Sequence, residues 1–383
     1  MKVKVSLRLS NTFCCIIILL LLSICMFVTW GCEKRKEPAR VGFVGGLTGR
    51  LSGLGIAGRN GVTLAVEEIN EAGGINGRPV ELITRDDRQD PKVAVKVDRE
   101  LIDEGVVAII GHMTTSMSMA TLPLINKEEI LMISPTTSTN KLTGIDDYFI
   151  RVMAPNKSQT DHLARYAFKS LGLRKMAAVY DLSNRTYSEE FLNNVRSEFK
   201  KMGGEIILCE TFTSGTDVSF KNLAGRLLEP DPEGLLIVAG ALDTAMICQH
   251  IRMTGSNAPI FSCGWGMTGD LLDHGGPAVE GIIFFSRLLD RESQHEGYLK
   301  FRQRFSRRFN LEPDFAAAHG YEAAHLLFEA LKINGGPEEL KAAILKQGVF
   351  KGVQGDIRVD KYGDPQRKRF LITVKDNKFK TMD

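Results

Sequence analysis

Short apolar runs alternate with longer amphipathic segments along the chain. Residues 106–110 (VVAII) form an all-apolar run rich in β-branched side chains, typical of a strand buried on both faces of a parallel sheet. In the stretch that begins at Val62, apolar residues recur at i, i+3, i+4 and i+7, which predicts an amphipathic helix. Asp90 and Pro91 are residue types preferred at the N-cap and first position of a helix. The alternation predicts a parallel sheet covered by helices on both faces.

The same alternation begins again after residues 148–155 (YFIRVMAP), a strand-like run that ends in a Pro-Asn break. Further strands are predicted at 176–180, 206–208, 234–239, 259–262, 282–285 and 370–374. Helices are predicted at 159–170, 189–202, 241–253, 298–309 and 316–333. The pattern therefore predicts an α/β protein with two similar lobes, in which the chain returns to the first lobe before it finishes in the second.

Hydroxyl side chains follow the buried run at 106–110. Thr114, Thr115, Ser116 and Ser118 lie between this strand and a segment with a helical apolar face. A helix N-terminus at the carboxyl end of a buried strand favours an anion, and hydroxyls add donors without adding charge. The alternative is that these hydroxyls only cap the helix.

A second apolar run, at 130–134 (ILMIS), leads into another cluster of small polar residues, 135–140 (PTTSTN). Pro135 argues against an immediate helix and for a loop with exposed backbone donors. Two hydroxyl-rich strand ends so close in sequence predict one shared pocket. Neither cluster contains Arg or Lys, so a carboxylate fits this pocket better than a phosphate.

The N-terminal segment has the features of an export signal. Residues 1–32 comprise a basic start, an apolar stretch of about fifteen residues and a Gly-Cys pair, which predicts a lipoprotein-type signal peptide with Cys32 as the lipidated residue. The alternative is an uncleaved N-terminal anchor. Under both interpretations the protein is exported and tethered to a membrane. Residues 33–38 are then a charged linker.

Charge and cysteine content limit the possible functions. Residues 1–31 contain three basic side chains and no acidic ones, so the 49 Lys and Arg fall to 46 in the mature chain, equal to the 46 Asp and Glu. A neutral chain argues against a nucleic-acid partner. Cys209, Cys248 and Cys263 would remain after export and are predicted to be buried free thiols, with a Cys248–Cys263 disulfide as the alternative.

Other candidate motifs indicate structural roles. Glycines at 45–55 do not keep the spacing of a dinucleotide-binding loop, so no cofactor is predicted. Asp86 and Asp87 have no third ligand nearby and are interpreted as a solvated strand end, without a metal. No histidine has a paired nucleophile or metal-site spacing, and His112 is interpreted as a satisfied structural histidine. No catalytic residue is therefore predicted, and the protein is not expected to be an enzyme.

Three segments together resemble a known family: Gly111-His112 with its hydroxyls, residues 130–135, and the acids at 86–90 before Pro91. In this order they are similar to the leucine/isoleucine/valine-binding proteins, the type I periplasmic solute-binding proteins of branched-chain amino acid ABC importers. The resemblance spans essentially the whole mature chain. It implies two doubly wound parallel-sheet lobes, joined by a three-crossover hinge, that close on one solute. Lobe 1 would comprise 39–156 and 283–355, and lobe 2 would comprise 157–282 and 356–383.

The resemblance also implies ligand-binding positions. Hydroxyls and backbone N–H groups at the two strand ends hold the ligand carboxylate in the family; the matching positions are Thr115, Thr136 and Ser138, with Ser116 beside them. Tyr187 matches a lobe 2 aromatic that covers the ligand. The alternative for Tyr187 is an ordinary surface tyrosine.

The sequence departs from the family's prototype at three places. The acid that binds the α-ammonium aligns with Trp265, and a tryptophan cannot balance a buried ammonium as a carboxylate does, although cation–π contact is possible. Asp243 could replace that acid or could be a helix N-cap. A lobe 1 aromatic aligns with Leu54, and the prototype's disulfide aligns with Gln89 and Thr114, so this bridge is absent.

These features predict an extracytoplasmic, membrane-anchored solute-binding lipoprotein. It would bind a branched-chain amino acid or a related small carboxylate between its lobes and deliver it, as a monomer, to an ABC permease in the inner membrane. One alternative is the same fold used as a ligand sensor or as an activator of an envelope protein. Another is a receptor for an aromatic or aliphatic carboxylate that lacks an amino group.

Overall fold

Two parallel β-sheets with flanking helices make up most of the structure, a computed structural model that describes residues 36–286, 294–333, 337–353, 355–367 and 369–382. The predicted signal peptide and Cys32 lie outside the described residues. Residues Ala39–Asp383 form one compact unit. None of the helices among the described residues has both the length and the apolar composition needed to cross a membrane.

The first sheet contains five parallel strands in the order β2-β1-β3-β4-β5. Its strands are β1 (Ala39–Gly45), β2 (Val80–Asp86), β3 (Ala108–Ile110), β4 (Leu131–Ser134) and β5 (Phe149–Arg151). The helices between them are α1 (Ser52–Glu71), α2 (Pro91–Asp103) and α3 (Thr115–Lys127). Both β3 and β4 are buried at every position, as their apolar runs predicted.

The second sheet has the order β15-β14-β10-β9-β8-β6-β7. Its parallel part comprises β6 (Lys175–Asp181), β7 (Glu205–Phe212), β8 (Gly234–Val238), β9 (Ile260–Ser262) and β10 (Ile283–Ser286), and the antiparallel strands β14 (Phe370–Lys375) and β15 (Lys378–Thr381) extend one edge. The helices that accompany it are α4 (Lys157–Arg165), α5 (Arg185–Lys201), α6 (Phe220–Leu228), α7 (Ala241–Met253) and α8 (Gly269–Gly275). In both sheets the second strand pairs outside the first and the remaining parallel strands follow in order, which is the doubly wound topology.

Three helices and a small sheet complete the described chain. The helices are α9 (Glu296–Phe309), α10 (Phe315–Leu331) and α11 (Pro337–Gln347). The antiparallel sheet comprises β11 (Val349–Gly352), β12 (Gly355–Val359) and β13 (Pro365–Gln366). The predicted α/β fold class with doubly wound sheets is confirmed. Helices α6, α8 and α11 and strands β11, β12, β13 and β15 were not predicted.

Strand pairing differs from two of the predicted segment boundaries. Strand β10 pairs with β9 and β14 in the second sheet, whereas the second segment of lobe 1 was predicted to begin at 283. Strand β12 pairs with β11, whereas residues from 356 onward were assigned to lobe 2. The sequence does not show in which sheet β10 or β12 pairs, because an apolar run has the same composition in either sheet.

Local chemistry explains where two helices begin. The Asp90 side chain accepts hydrogen bonds from the N–H groups of Lys92 and Val93, and Pro91 occupies the first helical position of α2, as predicted. The Asp314 side chain accepts from the Ala317 N–H at the start of α10. These caps satisfy N–H groups that a helix cannot pair internally.

Glycines let α1 and α10 cross closely. A Cβ at Gly61 would lie 2.0 Å from the carbonyl oxygen of Ala317, and a Cβ at Gly320 would lie 2.3 Å from that of Gly58. Both distances are far below van der Waals contact, so larger residues would force the helices apart. The crossing fixes the first turns of both helices, which carry Leu54 and Phe315.

Candidate functional site

An internal cavity lies where strand ends of both sheets face each other. The space between its lining atoms amounts to about 390 Å³, part of which is open to solvent. The lining residues are Leu54, Met113, Thr114, Thr115, Thr136, Ser138, Met153, Gln159, Asn184, Tyr187, Gly264, Trp265, Ser286 and Phe315. Six of the eight residues predicted to bind the ligand line this cavity, namely Leu54, Thr115, Thr136, Ser138, Tyr187 and Trp265.

The hydroxyl cluster, defined as Thr115, Thr136 and Ser138, lines the side of the cavity formed by the first sheet. Thr115 is the first residue of α3, and its N-cap residue Thr114 makes no side-chain cap. The Thr114 hydroxyl instead donates to Oε1 of Gln89 at 3.0 Å. The N-terminus of α3, which its own N-cap side chain does not cap, thus adjoins neutral hydroxyls, an arrangement that favours a carboxylate.

Ser116 joins the two halves of the site and does not line the cavity. Its backbone N–H donates to Oδ1 of Asn184 at 3.1 Å, and its hydroxyl oxygen accepts from the N–H of Thr186 at 3.3 Å. Both partners lie beside the start of α5. Ser116 therefore holds the N-terminus of α3 against the N-terminus of α5.

Two aromatic side chains line the side of the cavity formed by the second sheet. Tyr187 and Trp265 are 6% and 7% exposed, and their rings pack edge to face with centroids 6.3 Å apart. Burial, together with the neighbouring Cys263 thiol, raises the pKa of Tyr187 well above 10, so its hydroxyl stays neutral. The alternative of a surface tyrosine is wrong for Tyr187. The pair gives the cavity a rigid apolar wall.

Asp243 does not line the cavity, so it does not replace the acid that binds the ligand α-ammonium in the family's prototype. It lies in the first turn of α7, fully buried, and is absent from the cavity lining. Its Oδ1 accepts a hydrogen bond from Nε of Arg50 at 2.5 Å. The sequence could not show this ion pair because the two residues lie 193 positions apart.

Every polar group that lines the cavity is neutral: within the described residues, the lining contains no Asp, Glu, His, Lys or Arg. One cation lies close behind the wall. Nη2 of Arg369 donates to the carbonyl oxygens of Ala154 and Pro155, next to the lining residue Met153, and no carboxylate of the described residues pairs with it. Burial lowers the pKa of Arg369 to about 10, which leaves it charged at neutral pH. This environment favours an anion over a cation.

His112, just before the lining residue Met113, is a satisfied structural histidine, as interpreted from the sequence. It is fully buried, with Nδ1 2.8 Å from Oδ2 of Asp87 and Nε2 3.2 Å from both oxygens of Asp98. The interpretation of Asp87 as a solvated strand end is wrong, since its side chain is fully buried. Asp86 does lie at the strand end, where it accepts from Leu47 and Thr48.

Burial alone would lower the pKa of His112, but Asp98 and Asp87 raise it to about 10. The folded protein therefore keeps this proton at pH values where the unfolded chain, with a histidine pKa near 6.5, has lost it. The His112 contribution is complete below about pH 6.5 and is lost as the pH rises towards 10.

We expect His112 to lower the free energy of unfolding by about 1.4 kcal/mol per pH unit between about pH 7 and 9.5. Urea denaturation across this range would measure the slope. A free energy of unfolding that stays constant between pH 7 and 9.5 would contradict the assignment of a protonated His112.

The cysteine predictions hold in part. Cys209, Cys248 and Cys263 are all free thiols, so the alternative disulfide is absent. Cys248 and Cys263 are buried, but Cys209 is exposed on β7, so its predicted burial is wrong. Strand β7 forms an edge of the second sheet, where side chains on one face meet solvent.

Several lining residues were not predicted, among them Met113, Met153, Gln159, Asn184, Ser286 and Phe315. The hydroxyls were recognisable because they follow two adjacent strands in one short stretch. By contrast, Gln159, Ser286 and Phe315 reach the cavity from α4, β10 and α10, which only the tertiary fold brings together. No local signal distinguishes them from core or surface positions.

Two doubly wound sheets that enclose a neutral, partly aromatic cavity between their strand ends define a solute-binding protein. A family model described as "Periplasmic binding protein" matches residues 38–378. The chain belongs to this family, which makes it an extracytoplasmic solute-binding protein.

One sequence relative and two solved structures illustrate what this chain is similar to. Leu/Ile/Val-binding protein homolog 1 of Brucella melitensis is 27% identical over 335 residues, covering 85% of this chain and 87% of the relative. A Streptococcus pneumoniae branched-chain amino acid transporter substrate-binding protein, solved in complex with isoleucine, superposes with a TM-score of 0.83 at 24% identity and 90% and 98% coverage. A Rhodopseudomonas palustris solute-binding protein in complex with benzoate gives a TM-score of 0.80 at 21% identity, with 90% and 95% coverage. At these identities the two solved structures support the fold.

Proposed function

We propose that the protein is the solute receptor of an ABC importer. It binds a branched-chain amino acid or a related small carboxylate in the cavity and delivers it to a permease in the inner membrane. The observation that carries this proposal is the hydroxyl cluster beside the N-terminus of α3, opposite the Tyr187–Trp265 wall. Similarity to the Brucella Leu/Ile/Val-binding protein homologue supports the solute class and the transport role.

The binding mode follows from the lining. The hydroxyls of Thr115 and Ser138 and backbone N–H groups donate to the ligand carboxylate, and hydrogen bonds to a charged acceptor are stronger than those between neutral groups. The Thr136 hydroxyl itself donates to the Met113 carbonyl oxygen. Leu54, Phe315 and the aromatic wall surround the apolar part of the ligand. The sides of the cavity come from both sheets, so release requires the halves to separate by a hinge motion. Lipidation of Cys32 would keep the receptor, acting as a monomer, near its permease.

A second candidate ligand is an aromatic or aliphatic carboxylate without an amino group. A buried ammonium requires a partner, and the described lining contains no carboxylate. Arg369 behind the wall also disfavours a cation. The benzoate complex of the Rhodopseudomonas palustris protein shows that this fold can enclose an acid of this type.

A thermal-shift screen of the mature chain, stripped of carried-over ligand by denaturation and refolding, tests the ligand class. The panel pairs leucine, isoleucine, valine and phenylalanine with their deaminated acids and includes benzoate. A ligand at 100 times its Kd stabilises the folded state by about 2.7 kcal/mol, which is readily seen as a higher Tm. A screen in which no carboxylate raises the Tm would overturn the proposed function.

Thr115→Ala should weaken carboxylate binding by about 1 to 2 kcal/mol, a loss of roughly 5- to 30-fold, because one donor to the anion is removed. Isothermal titration calorimetry with the best ligand of the screen measures this loss. Thr211→Ala is the matched control, since Thr211 is exposed on β7 and lies outside the cavity lining. Equal affinities for Thr115→Ala and the control would remove Thr115 from the site.

A further inference from the structure

Among the lining residues that the structure describes, Gln159 is the one whose polar atom is both buried and unpaired. It lies in α4, is 5% exposed, and its Nε2 has no hydrogen-bond partner among the described residues. A buried amide group without a partner is costly, so its presence beside a cavity indicates that something else completes it. The cavity that Gln159 lines is the space from which such a partner can come.

Ser286 and Gly264 adjoin the same point. A Cβ placed on Gly264 would lie 3.0 Å from Oγ of Ser286 and 3.6 Å from Nε2 of Gln159. Any side chain at 264 would therefore crowd both polar atoms. Because residue 264 is a glycine, the amide and the hydroxyl share one small open space, which we name the amide subsite (Gln159, Gly264 and Ser286).

Ring stacking holds the amide subsite in place. The imidazole of His162, one turn after Gln159 on α4, stacks on Phe285 with centroids 4.6 Å apart and planes 2° from parallel. Phe285 directly precedes Ser286 on β10. The stacking thus fixes α4 against β10, the two elements that carry Gln159 and Ser286.

The amide subsite is chemically distinct from the hydroxyl cluster. Its residues come from α4, β10 and the turn after β9, all of them beside the second sheet, whereas Thr115, Thr136 and Ser138 follow strands of the first. An amide and a hydroxyl each offer both a donor and an acceptor, and neither carries a charge. Both groups can pair with a neutral oxygen, such as a hydroxyl or a carbonyl, while the hydroxyl cluster takes the charged carboxylate of the same ligand.

Resting on the proposed function, we infer that the natural ligand is a small carboxylate that carries a second, neutral oxygen, a hydroxy or oxo acid. The hydroxyl cluster holds its carboxylate, and Gln159 with Ser286 binds the second oxygen. An acid without that oxygen leaves the buried amide unpaired, and sites built to bind an oxygen discriminate against such analogues. An amino acid places an ammonium where no carboxylate of the described lining receives it.

Two matched ligand series test this inference by calorimetry on the mature, ligand-stripped chain. One series is 4-methylpentanoate, 2-hydroxy-4-methylpentanoate, 2-oxo-4-methylpentanoate and leucine. The other is benzoate, 4-hydroxybenzoate and 4-aminobenzoate. In at least one series we expect the hydroxy or oxo acid to bind about tenfold or more tightly than the member without oxygen. Equal or weaker binding of every oxygenated member would overturn the inference.

Substitutions at Gln159 separate the amide subsite from the hydroxyl cluster. Gln159→Leu has nearly the same volume and should bring the ratio of affinities for the oxygenated and the plain acid close to one. Gln159→Glu supplies a carboxylate and should raise the relative affinity for leucine. Thr115→Ala, the control, should weaken all the acids by a similar factor. A preference that survives in Gln159→Leu would overturn the inference.

The outcomes also distinguish a failure of the amide subsite from a failure of the proposed function. If carboxylates bind and Thr115→Ala weakens them, but Gln159→Leu changes no ratio, only the amide subsite is wrong. If no acid of either series binds, the proposed function fails and the inference fails with it.

Discussion

Replacing His112 by glutamine should lower the free energy of unfolding at pH 7 by about 3 to 5 kcal/mol, the usual cost of removing one partner from a buried ion pair. The imidazolium lies between Asp87 and Asp98, and all three side chains are fully buried. Glutamine can donate a hydrogen bond but carries no charge. Two carboxylates would then remain in the interior without a cation, and one of them must take up a proton.

Urea denaturation of the variant and the wild type measures this loss. His274→Gln is a suitable control because His274 is exposed, and we expect it to change the stability by less than about 0.5 kcal/mol. A similarly small effect of His112→Gln would show that the two aspartates do not depend on the imidazolium.

The His112 group also bears on ligand binding. Met113, Thr114 and Thr115 follow His112 directly and line the cavity. The Ser134 hydroxyl donates to the His112 carbonyl oxygen at 2.9 Å and accepts from the N–H of Thr137 at 3.1 Å. His112, held by Asp87 and Asp98, thus anchors the backbone between the ends of β3 and β4. The hydroxyl cluster follows these strand ends. A variant at His112 that still folds should bind carboxylates more weakly.

The strand ends that carry this half of the site were predictable because their information is local. Buried parallel strands show as apolar runs, and the hydroxyls of Thr115, Thr136 and Ser138 follow them within a few residues. Parallel strands of one sheet end at a common edge, so proximity in sequence implied proximity in space. Periodicity also predicted α2, where Asp90 and Pro91 marked the start.

Features that depend on distant partners were not predictable in this way. Asp87 looked like a solvated acid because its cation, His112, lies 25 residues away. Asp243 was a candidate ammonium partner because Arg50, which pairs with it, belongs to a segment 193 residues earlier. Gln159 had no signal at all. In each case the environment of one polar group is set by elements that meet only after folding.

Arg151 illustrates the same dependence and leads to a second large expected effect. It ends β5 and is fully buried, and its Nε donates to Oδ1 of Asp364 at 2.7 Å. Nη1 donates to the carbonyl oxygen of Thr139 at 2.6 Å, and Nη2 donates to the hydroxyl of Thr143 at 2.9 Å. Thr139 directly follows Ser138, so one guanidinium ties the loop of the hydroxyl cluster to the segment before β13.

Arg151→Met should lower the free energy of unfolding by about 3 to 5 kcal/mol, because the Asp364 carboxylate, itself nearly buried, loses its cation and two loop groups lose a donor. Urea denaturation measures this, and the double variant Arg151→Met with Asp364→Asn isolates the pair. Without a stranded charge, the double variant should be more stable than Arg151→Met alone, by about 1 kcal/mol or more.

Simple addition of the two single effects in the double variant would mean that the ion pair contributes no coupling, and that Arg151 acts only through its loop contacts. Ligand affinity separates these contributions further. Asp364→Asn keeps the donors to Thr139 and Thr143, so it should disturb Ser138 less than Arg151→Met does. We therefore expect carboxylate binding to weaken in Arg151→Met, and to change little in Asp364→Asn, at temperatures where both variants are folded.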